Sequence, residues 1–317
     1  MIGFMQEENL PKTQLEAIRY FGDLEKCHEF IVNMRWANGV KCPHCKSKRV
    51  GKFSGKRHVA NCKDCKRQFT AKLGTIFEDS PLGLDKWLPA VWMIVNAKNG
   101  ISSCELARSL GVTQKTAWHM GHRVRVALHQ GSFEKLSGVV EADETFIGGL
   151  SRNMHKQKRE NKITGTGGAN KTAIQGLLER HSKGKSKVIA KVIPHRRKTI
   201  IHANVKQYVE KGSALMTDAL PSYNDLNKDY NHQVIDHAEA YVNGAIHTNG
   251  LENFWCLLKR SIRGTYVSVA PFHLFRYLDE QAYRFNQREG TDGERFQKAV
   301  ASLTGKMLPY AKLTGAV

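Results

Sequence analysis

Glu252 and Lys259 stand seven residues apart, a spacing that suits a metal ligand and a phosphate-binding cation. Seven residues are two helical turns, so both side chains lie on one side of a predicted helix. Apolar residues at helical spacing define the buried stripe of that helix: Leu251, Phe254, Trp255 and Leu258. Thr248 and Asn249 precede the stripe and are both suitable N-caps. The helix therefore offers a carboxylate beside its buried face.

Two aspartates upstream of this helix lie on predicted β-strands. Asp143 lies in an apolar, β-branched segment over residues 136–149 that closes on a pair of glycines, and Asp218 ends the short apolar segment 213–218. A buried aspartate is costly unless it is paired or binds a metal ion. Three carboxylates brought together repel one another unless divalent cations neutralise them, and oxygen donors suit Mg²⁺ or Mn²⁺. The sequence therefore predicts a site for divalent cations, which promote attack on a phosphodiester.

Four cysteines form two CxxC pairs separated by sixteen residues: Cys42, Cys45, Cys62 and Cys65. This spacing is typical of a tetrahedral structural zinc site, and a segment this small depends on the metal for its folding energy. A redox CxxC is the weaker alternative. His44 and His58 are predicted to be surface residues, since four thiolates complete the site. The basic segment 41–72 suits contact with DNA phosphates, and a protein-docking module is the alternative.

A helix-turn-helix is predicted within residues 101–120. Gly111 marks the turn and Thr113 caps the second helix. Gln114, Lys115 and His119 are expected to face outward and to reach a DNA groove. A generic helical hairpin is the alternative, and Cys104 is interpreted as a core residue.

The charge balance points to a polyanionic partner. Lys and Arg total 49 against 29 acidic residues, which gives a net charge of +20. Residues 151–171 are predicted to form a flexible basic loop that contacts phosphates, and the DNA-binding candidates outside the helix-turn-helix are Lys156, Lys158, Arg159 and Arg260. The sequence has no apolar stretch long enough to cross a membrane and no secretion signal, and its seven cysteines fit a reducing compartment. We therefore expect a cytoplasmic, nucleoid-associated protein.

Further elements complete the predicted α/β architecture. Helices are predicted at 15–36, at 85–97 with Pro89 in the first turn, at 199–210, from 219 to 226 and at 271–287. A hairpin is predicted from strands 172–179 and 187–194, and a further strand at 232–236. Residues 289–317 carry little signal.

Several motifs together resemble the DDE transposases of bacterial insertion sequences, in the ISXO-like group that carries an N-terminal zinc ribbon. The resemblance rests on RWANGVKCPHC at 35–45, the second CxxC, VEADETFIGG at 140–149, TDALPSY at 217–223, HTNGLENFWCLLKRSIRGTY at 247–266 and HLFRYLDEQAYRFNQR at 273–288. It implies an RNase H-like catalytic core with a mixed five-stranded sheet, and Mg²⁺-dependent cutting and joining of DNA at the element's terminal repeats. A homo-oligomer on DNA is expected.

The resemblance assigns a catalytic triad of Asp143, Asp218 and Glu252, followed by the basic residue Lys259. An Asn carbonyl also binds Mg²⁺, and Asn249 lies one turn before Glu252 as the alternative third ligand. The expected domains are a helical segment (1–36), the zinc ribbon (37–75), the helix-turn-helix region (84–130), the catalytic domain (136–290) and a C-terminal tail (291–317). Two other functions remain open, a metal-dependent nuclease that does not join strands and a non-catalytic DNA-binding regulator.

Overall fold

The computed structural model describes residues 10–129, 135–149, 154–163, 168, 170–181, 185–235 and 247–315. The chain forms two compact units. The first combines Met1–His129 with Gly290–Val317, and the second is Gln130–Glu289. Among the described residues no helix is both long and apolar enough to cross a membrane.

The first unit is mainly helical around a small two-stranded sheet. Its helices are α1 (Gln14–Phe21), α2 (Leu24–Arg35), α3 (Leu84–Asn96), α4 (Ser103–Leu110), α5 (Gln114–Leu128), α10 (Asp292–Ala301) and α11 (Tyr310–Thr314). Strands β1 (Val59–Asn61) and β2 (Gln68–Thr70) pair antiparallel. Aromatic rings of α1, α2, α3 and α10 meet in the core, with Phe296 of α10 against Phe21, Phe30 and Trp92.

The second unit is built on a mixed five-stranded sheet. Its strands are β3 (Val139–Ile147), β4 (Thr172–Arg180), β5 (Lys187–Ile193), β6 (Ala214–Asp218) and β7 (Asn231–Ile235), in the order β5-β4-β3-β6-β7. β3, β4 and β5 pair antiparallel, whereas β3, β6 and β7 run parallel. The helices of this unit are α6 (Lys156–Lys162), α7 (Lys198–Tyr208), α8 (Asn249–Arg260) and α9 (Leu274–Asn286). The predicted five-stranded sheet is confirmed.

Each face of the sheet carries its own apolar core. One core joins Val140, Ala142 and Leu215 to Ile201 and Val205 of α7. The other contains residues of β3, β4 and β5 together with the buried stripes of α8 and α9. Successive residues of a strand point to opposite faces, so Glu141 and Asp143 of β3 share the face that α8 covers.

Three predictions about local structure were wrong. The helix predicted at 15–36 is interrupted at Gly22, because the Asp23 side chain accepts hydrogen bonds from the first amides of α2 and caps a new helix. Residues 219–226 form short 3₁₀ turns rather than an α-helix. Pro89 is the sixth residue of α3, so it lies beyond the first turn.

Two segments predicted without regular structure contain helices. The predicted basic loop 151–171 includes α6, a short helix over Lys156–Lys162. The predicted C-terminal tail includes α10, which starts with a capping box formed by Thr291 and Glu294 and buries Phe296. Capping and core contacts made by this segment stabilise the helix, although its apolar pattern is weak.

Candidate functional site

The four cysteine thiols lie together in the first unit. All four Sγ atoms are within 4.8 Å of one another. The Sγ atoms of Cys42 and Cys65 are 3.7 Å apart, and those of Cys45 and Cys62 are 3.6 Å apart. A zinc–sulfur distance of about 2.3 Å gives a tetrahedron with an edge of about 3.8 Å. The donor set and its spacing therefore fit a tetrahedral zinc ion.

The two CxxC turns have the same backbone structure. The carbonyl of Cys42 accepts a hydrogen bond from the Lys46 amide at 2.9 Å, and that of Cys62 accepts one from Lys66 at 3.1 Å. Lys46 and Lys66 both adopt positive φ angles, 64° and 61°. Backbone amides, with that of Cys65 contributing most, also lower the pKa of the Cys62 thiol and favour the thiolate that binds metal.

The two histidines near the cluster differ in exposure. His44 is exposed, as predicted. His58 is buried, and the prediction that it lies on the surface was wrong. Its ring stacks on His28 of α2 with the centroids 3.6 Å apart, so a residue thirty positions upstream provides its contact. Burial, and then the charge of His58, lowers the pKa of His28 to about 4.

Asp143 and Asp218 end up side by side in the second unit. The parallel register of β3 and β6 pairs Ala142 with Thr217, so the next residue of each strand is an aspartate. Neighbouring strands are about 4.8 Å apart, and residues in the same register position face the same side. Both aspartates therefore lie on the face of the sheet that α8 covers.

Asp143 is held between the sheet and α8. The indole Nε1 of Trp255 donates a hydrogen bond to Asp143 Oδ2 at 2.9 Å, and the Glu144 amide donates to Oδ1 at 2.7 Å. Burial raises the pKa of Asp143 to about 6, and the negative charges of Asp218 and Glu252 act in the same direction. The three predicted carboxylates are thus within electrostatic reach of one another.

Helix α8 approaches the sheet closely because Gly176 of β4 has no side chain. A Cβ atom at Gly176 would lie 2.5 Å from Trp255 Cζ2 and 2.8 Å from Leu251 Cδ2. Glu252 follows Leu251 and is exposed at the edge of this contact, and Asn249, the first residue of α8, is also exposed. Among the described residues, the four cysteine Sγ atoms are close enough to one another to hold an ion. The oxygen atoms of the three predicted carboxylates are more widely spaced.

The basic residues of α8 lie at its C-terminal end. Lys259 is partly buried and Arg260 is exposed, with its Nη2 atom 3.9 Å from Cys256 Sγ. Neither predicted N-cap side chain forms a capping hydrogen bond at the other end of the helix, where Thr248 holds the cap position. The Glu141 carboxylate of β3 instead accepts a hydrogen bond from the Leu251 amide.

Two further acidic residues of β3 make contacts that were not predicted from the sequence. Glu141 is buried against α8, and Glu144 accepts a hydrogen bond from the Tyr223 hydroxyl on the opposite face of the sheet. Burial raises the pKa of Glu144 to about 8. The signal was present, because alternation places residues 141 and 143 on one face and residue 144 on the other.

Helices α4 and α5 follow each other in the chain and are joined by a short turn over residues 111–113. Gly111 has a left-handed conformation at the end of α4, and the Thr113 side chain caps α5. Gln114 and Lys115 are exposed, and Gln114 Nε2 donates to Ser103 Oγ at 2.8 Å. Cys104 is exposed, so its prediction as a core residue was wrong.

His119 does not face outward as predicted. Its ring packs edge-on against Tyr310, with 5.7 Å between the centroids, and burial lowers its pKa. The contact comes from the C-terminal segment, which the local helical pattern could not reveal. Lys115 Nζ lies 5.5 Å from the same Tyr310 ring.

Some of the residues in segment 151–171 that are predicted to contact phosphates lie in α6. Lys156 and Arg159 are exposed there. Lys158 belongs to the same helix, but its side chain lies outside the described residues. A helix places these cations at fixed intervals along one element, where a loop was predicted.

Comparison with known proteins gives two matches to protein families. The ISXO2-like transposase domain matches residues 135–286, which include β3 to α9 and all three predicted carboxylates. The transposase zinc-ribbon domain matches residues 22–68, which include the four cysteines.

The chain belongs to the ISXO2-like transposase family.

A relative from an archaeon is a protein of a transposable element. The chain is 28% identical over 254 residues to an uncharacterized protein in transposable element ISH50 of Halobacterium salinarum. The aligned region covers 77% of this chain and 84% of the relative. In this ISXO2-like transposase, the cysteine cluster lies within a transposase zinc-ribbon domain and the carboxylate face within the transposase domain.

Proposed function

We propose that this protein is the transposase of an insertion sequence, which binds the element ends and catalyses DNA cleavage and strand transfer. The observation that carries the proposal is the placement of Asp143 and Asp218 at adjacent strand positions, on the face where α8 brings in the charge of Glu252. Membership in a transposase family provides the substrate class. The protein would act on double-stranded DNA, at terminal repeats and at a target.

The topology of the second unit supports an RNase H-like catalytic core. An antiparallel hairpin, β4–β5, extends β3 on one side, and two parallel strands, β6 and β7, extend it on the other. Helices cover both faces of this sheet. The resemblance of the sequence to DDE transposases implies the same mixed five-stranded core.

The donor set of the carboxylate site suits Mg²⁺ or Mn²⁺. Asp143, Asp218 and Glu252 offer only oxygen atoms. Burial, and to a smaller extent repulsion from the other two carboxylates, raises the Asp143 pKa, and a divalent cation would offset both effects. When bound by these carboxylates, such cations would help to activate a water or 3′-hydroxyl and to stabilise the leaving oxygen of a phosphodiester. The strands β3 and β6 and helix α8 hold the three carboxylates that would bind the cations.

Individual residues have separate tasks in this proposal. Trp255 fixes the orientation of Asp143 through its indole N–H, so one carboxylate oxygen is held against α8. Lys259 lies two turns beyond Glu252 and attracts a DNA phosphate toward the carboxylates. Asn249, one turn before Glu252, is the alternative third ligand.

DNA binding is distributed over basic surfaces of both units. The net charge of +20 favours binding to any duplex. Gln114 and Lys115 at the start of α5 are the candidates for reading base edges, and His119 supports the helix through Tyr310. Lys156, Lys158, Arg159 and Arg260 are candidates for phosphate contacts. A structural zinc ion held by the four cysteines stabilises the ribbon, and we expect a homo-oligomer on DNA.

A test of the proposed function uses the full-length protein and a plasmid that carries the gene with its flanking sequences. With Mg²⁺ present, we expect cleavage at the element ends followed by joining to a second plasmid, and no activity with Asp143→Asn. Cleavage without joining would identify a nuclease instead. Specific binding without any cleavage would identify a non-catalytic regulator.

A further inference from the structure

Helix α8 begins without a side-chain cap of its own. Thr248 occupies the cap position, and its hydroxyl accepts no hydrogen bond from the first turn. The first amides of a helix have no partners within the helix and must find acceptors elsewhere. The acceptor for the Leu251 amide is Glu141 of β3, 110 positions earlier in the chain.

Both carboxylate oxygens of Glu141 accept hydrogen bonds near the start of α8. Its Oε2 atom accepts from the Leu251 amide at 2.9 Å, and its Oε1 atom accepts from Arg180 Nε at 2.6 Å. Arg180 Nη2 in turn contacts His247 Nδ1 at 2.8 Å, in the residues that lead into the helix. The Glu141 residue is only 1% exposed. A buried carboxylate therefore connects two strands to the first turn of α8.

Gly250 allows the close approach of Glu141 and α8. A Cβ atom at this position would lie 2.9 Å from Glu141 Oε2 and 3.0 Å from Leu178 Cδ2. Both atoms are the ends of side chains on the sheet, so a methyl group at residue 250 would crowd the Glu141 carboxylate where it meets the start of α8.

Two hydrogen bonds join the same face of β3 to α8. Glu141 accepts from Leu251, and Asp143 accepts from Trp255, one helical turn further on. Two residues of a strand span about 6.6 Å and four residues of a helix span about 6 Å, so the two contacts have matching spacing. Glu252 lies between these attachment points in the sequence.

We propose that Glu141 is a positioning residue for the carboxylate site. It fixes the start of α8 against β3, so that Glu252 is held at a set distance from Asp143 and Asp218. Glu141 itself does not touch the metal ion or DNA. This inference rests on the proposed function, because it concerns the same carboxylate site.

The alternative is that Glu141 contributes only to folding, as any buried ion pair does. The chain offers a matched control in Glu280, which is 0% exposed, lies in the same unit and pairs with Arg284 on α9. Glu280 also accepts a hydrogen bond from the Tyr266 hydroxyl, so these two partners follow the C-terminal end of α8 in the sequence. Glu280→Gln removes a buried charge from an arginine in the same way as Glu141→Gln.

The test measures Mn²⁺ binding to the full-length protein by electron paramagnetic resonance, with thermal stability recorded in parallel. Loss of an outer-shell contact typically weakens metal binding about 10–100-fold, and we expect this for Glu141→Gln. Glu280→Gln should lower the melting temperature and leave the Mn²⁺ affinity unchanged. Gly250→Ala keeps the Glu141 charge but crowds the Glu141 carboxylate at the start of α8, so it should also weaken Mn²⁺ binding and serves if Glu141→Gln fails to fold.

Unchanged Mn²⁺ affinity in Glu141→Gln, or in Gly250→Ala where only that variant folds, would overturn the positioning role. Equal losses of affinity in Glu141→Gln and Glu280→Gln would overturn it as well, since general destabilisation would then explain both. Asp143→Asn tests the site separately. If it binds Mn²⁺ as tightly as the unchanged protein, the proposed metal site itself is wrong, whatever Glu141 does.

Discussion

The cysteine cluster and the carboxylate site differ in how their residues are brought together. The cysteine ligands come from two short turns within residues 42–65, and each turn is closed by its own backbone hydrogen bonds. The carboxylates come from β3, β6 and α8, over residues 143–252. All four thiols lie within 4.8 Å of one another, whereas the carboxylates are spread more widely.

This difference shows what each site requires of the fold. Local turns are enough to set the spacing of the cysteines, so the metal is expected to complete the ribbon. The carboxylates depend on strand register, on Gly176 under α8 and on the attachment of the helix to β3. We therefore expect the first site to fail when a ligand is removed and the second to fail also when a supporting contact is removed.

The largest expected effect is loss of the ribbon when its metal is removed. Structural zinc contributes about 10–16 kcal/mol in zinc-finger peptides, so Cys62→Ser should abolish zinc binding and unfold the segment around β1 and β2. Metal analysis should find about one zinc per chain in the unchanged protein, and hydrogen exchange should show loss of protection over residues 42–70. Cys104→Ser, outside the cluster, is the control. A folded, zinc-free ribbon would remove the contrast between the two sites.

Loss of Glu252 should abolish activity without unfolding the protein. Glu252→Gln keeps the size of the side chain but removes the charge, and cleavage should fall by more than the approximately 100-fold typical of an outer-shell residue. Asn249→Ala should keep measurable activity, because Asn249 is neutral and exposed. Plasmid cleavage and circular dichroism measure the two properties. Retained cleavage in Glu252→Gln together with loss in Asn249→Ala would make Asn249 the third ligand.

A smaller effect is expected at the contact between β3 and the turn after β6. Tyr223→Phe leaves the buried Glu144 carboxyl without its hydroxyl partner, which should lower the free energy of unfolding by about 1–3 kcal/mol. Tyr230→Phe is the matched control, since its buried hydroxyl has no hydrogen-bond partner among the described residues. Urea unfolding of both variants compares them. Equal stabilities would show that the hydrogen bond from Tyr223 to Glu144 does not stabilise the fold.

Acid should affect the two regions in opposite directions. The pKa of His28 is lowered to about 4 in the fold, so its contribution to stability is lost as pH falls from about 6.5 toward 4. The pKa of Glu144 is raised to about 8, so its contribution is present at low pH and is lost as pH rises through 8. Hydrogen exchange of His28→Asn and Glu144→Gln against the unchanged protein, at pH 5 and pH 8, measures both contributions. Shifts of the same sign would contradict these pKa directions.

The sequence predicted the elements that carry the two aspartates and the four cysteines better than the contacts that support those elements. The strands at Asp143 and Asp218 and the two CxxC turns depend on local patterns, which a sequence displays directly. His58 and His119 were assigned wrongly because His28 and Tyr310, which cover them, are distant in the chain. The capping role of Glu141 was not predicted for the same reason. Packing between residues that are distant in the chain determines which side chains remain exposed.

The most direct test of the central claim is a crystal structure with Mn²⁺, in which anomalous scattering locates the ions. We expect Mn²⁺ peaks at coordination distance, about 2.0–2.6 Å, from carboxylate oxygens of Asp143, Asp218 and Glu252. Peaks confined to other parts of the protein, with these three carboxylates unliganded at saturating Mn²⁺, would contradict the account.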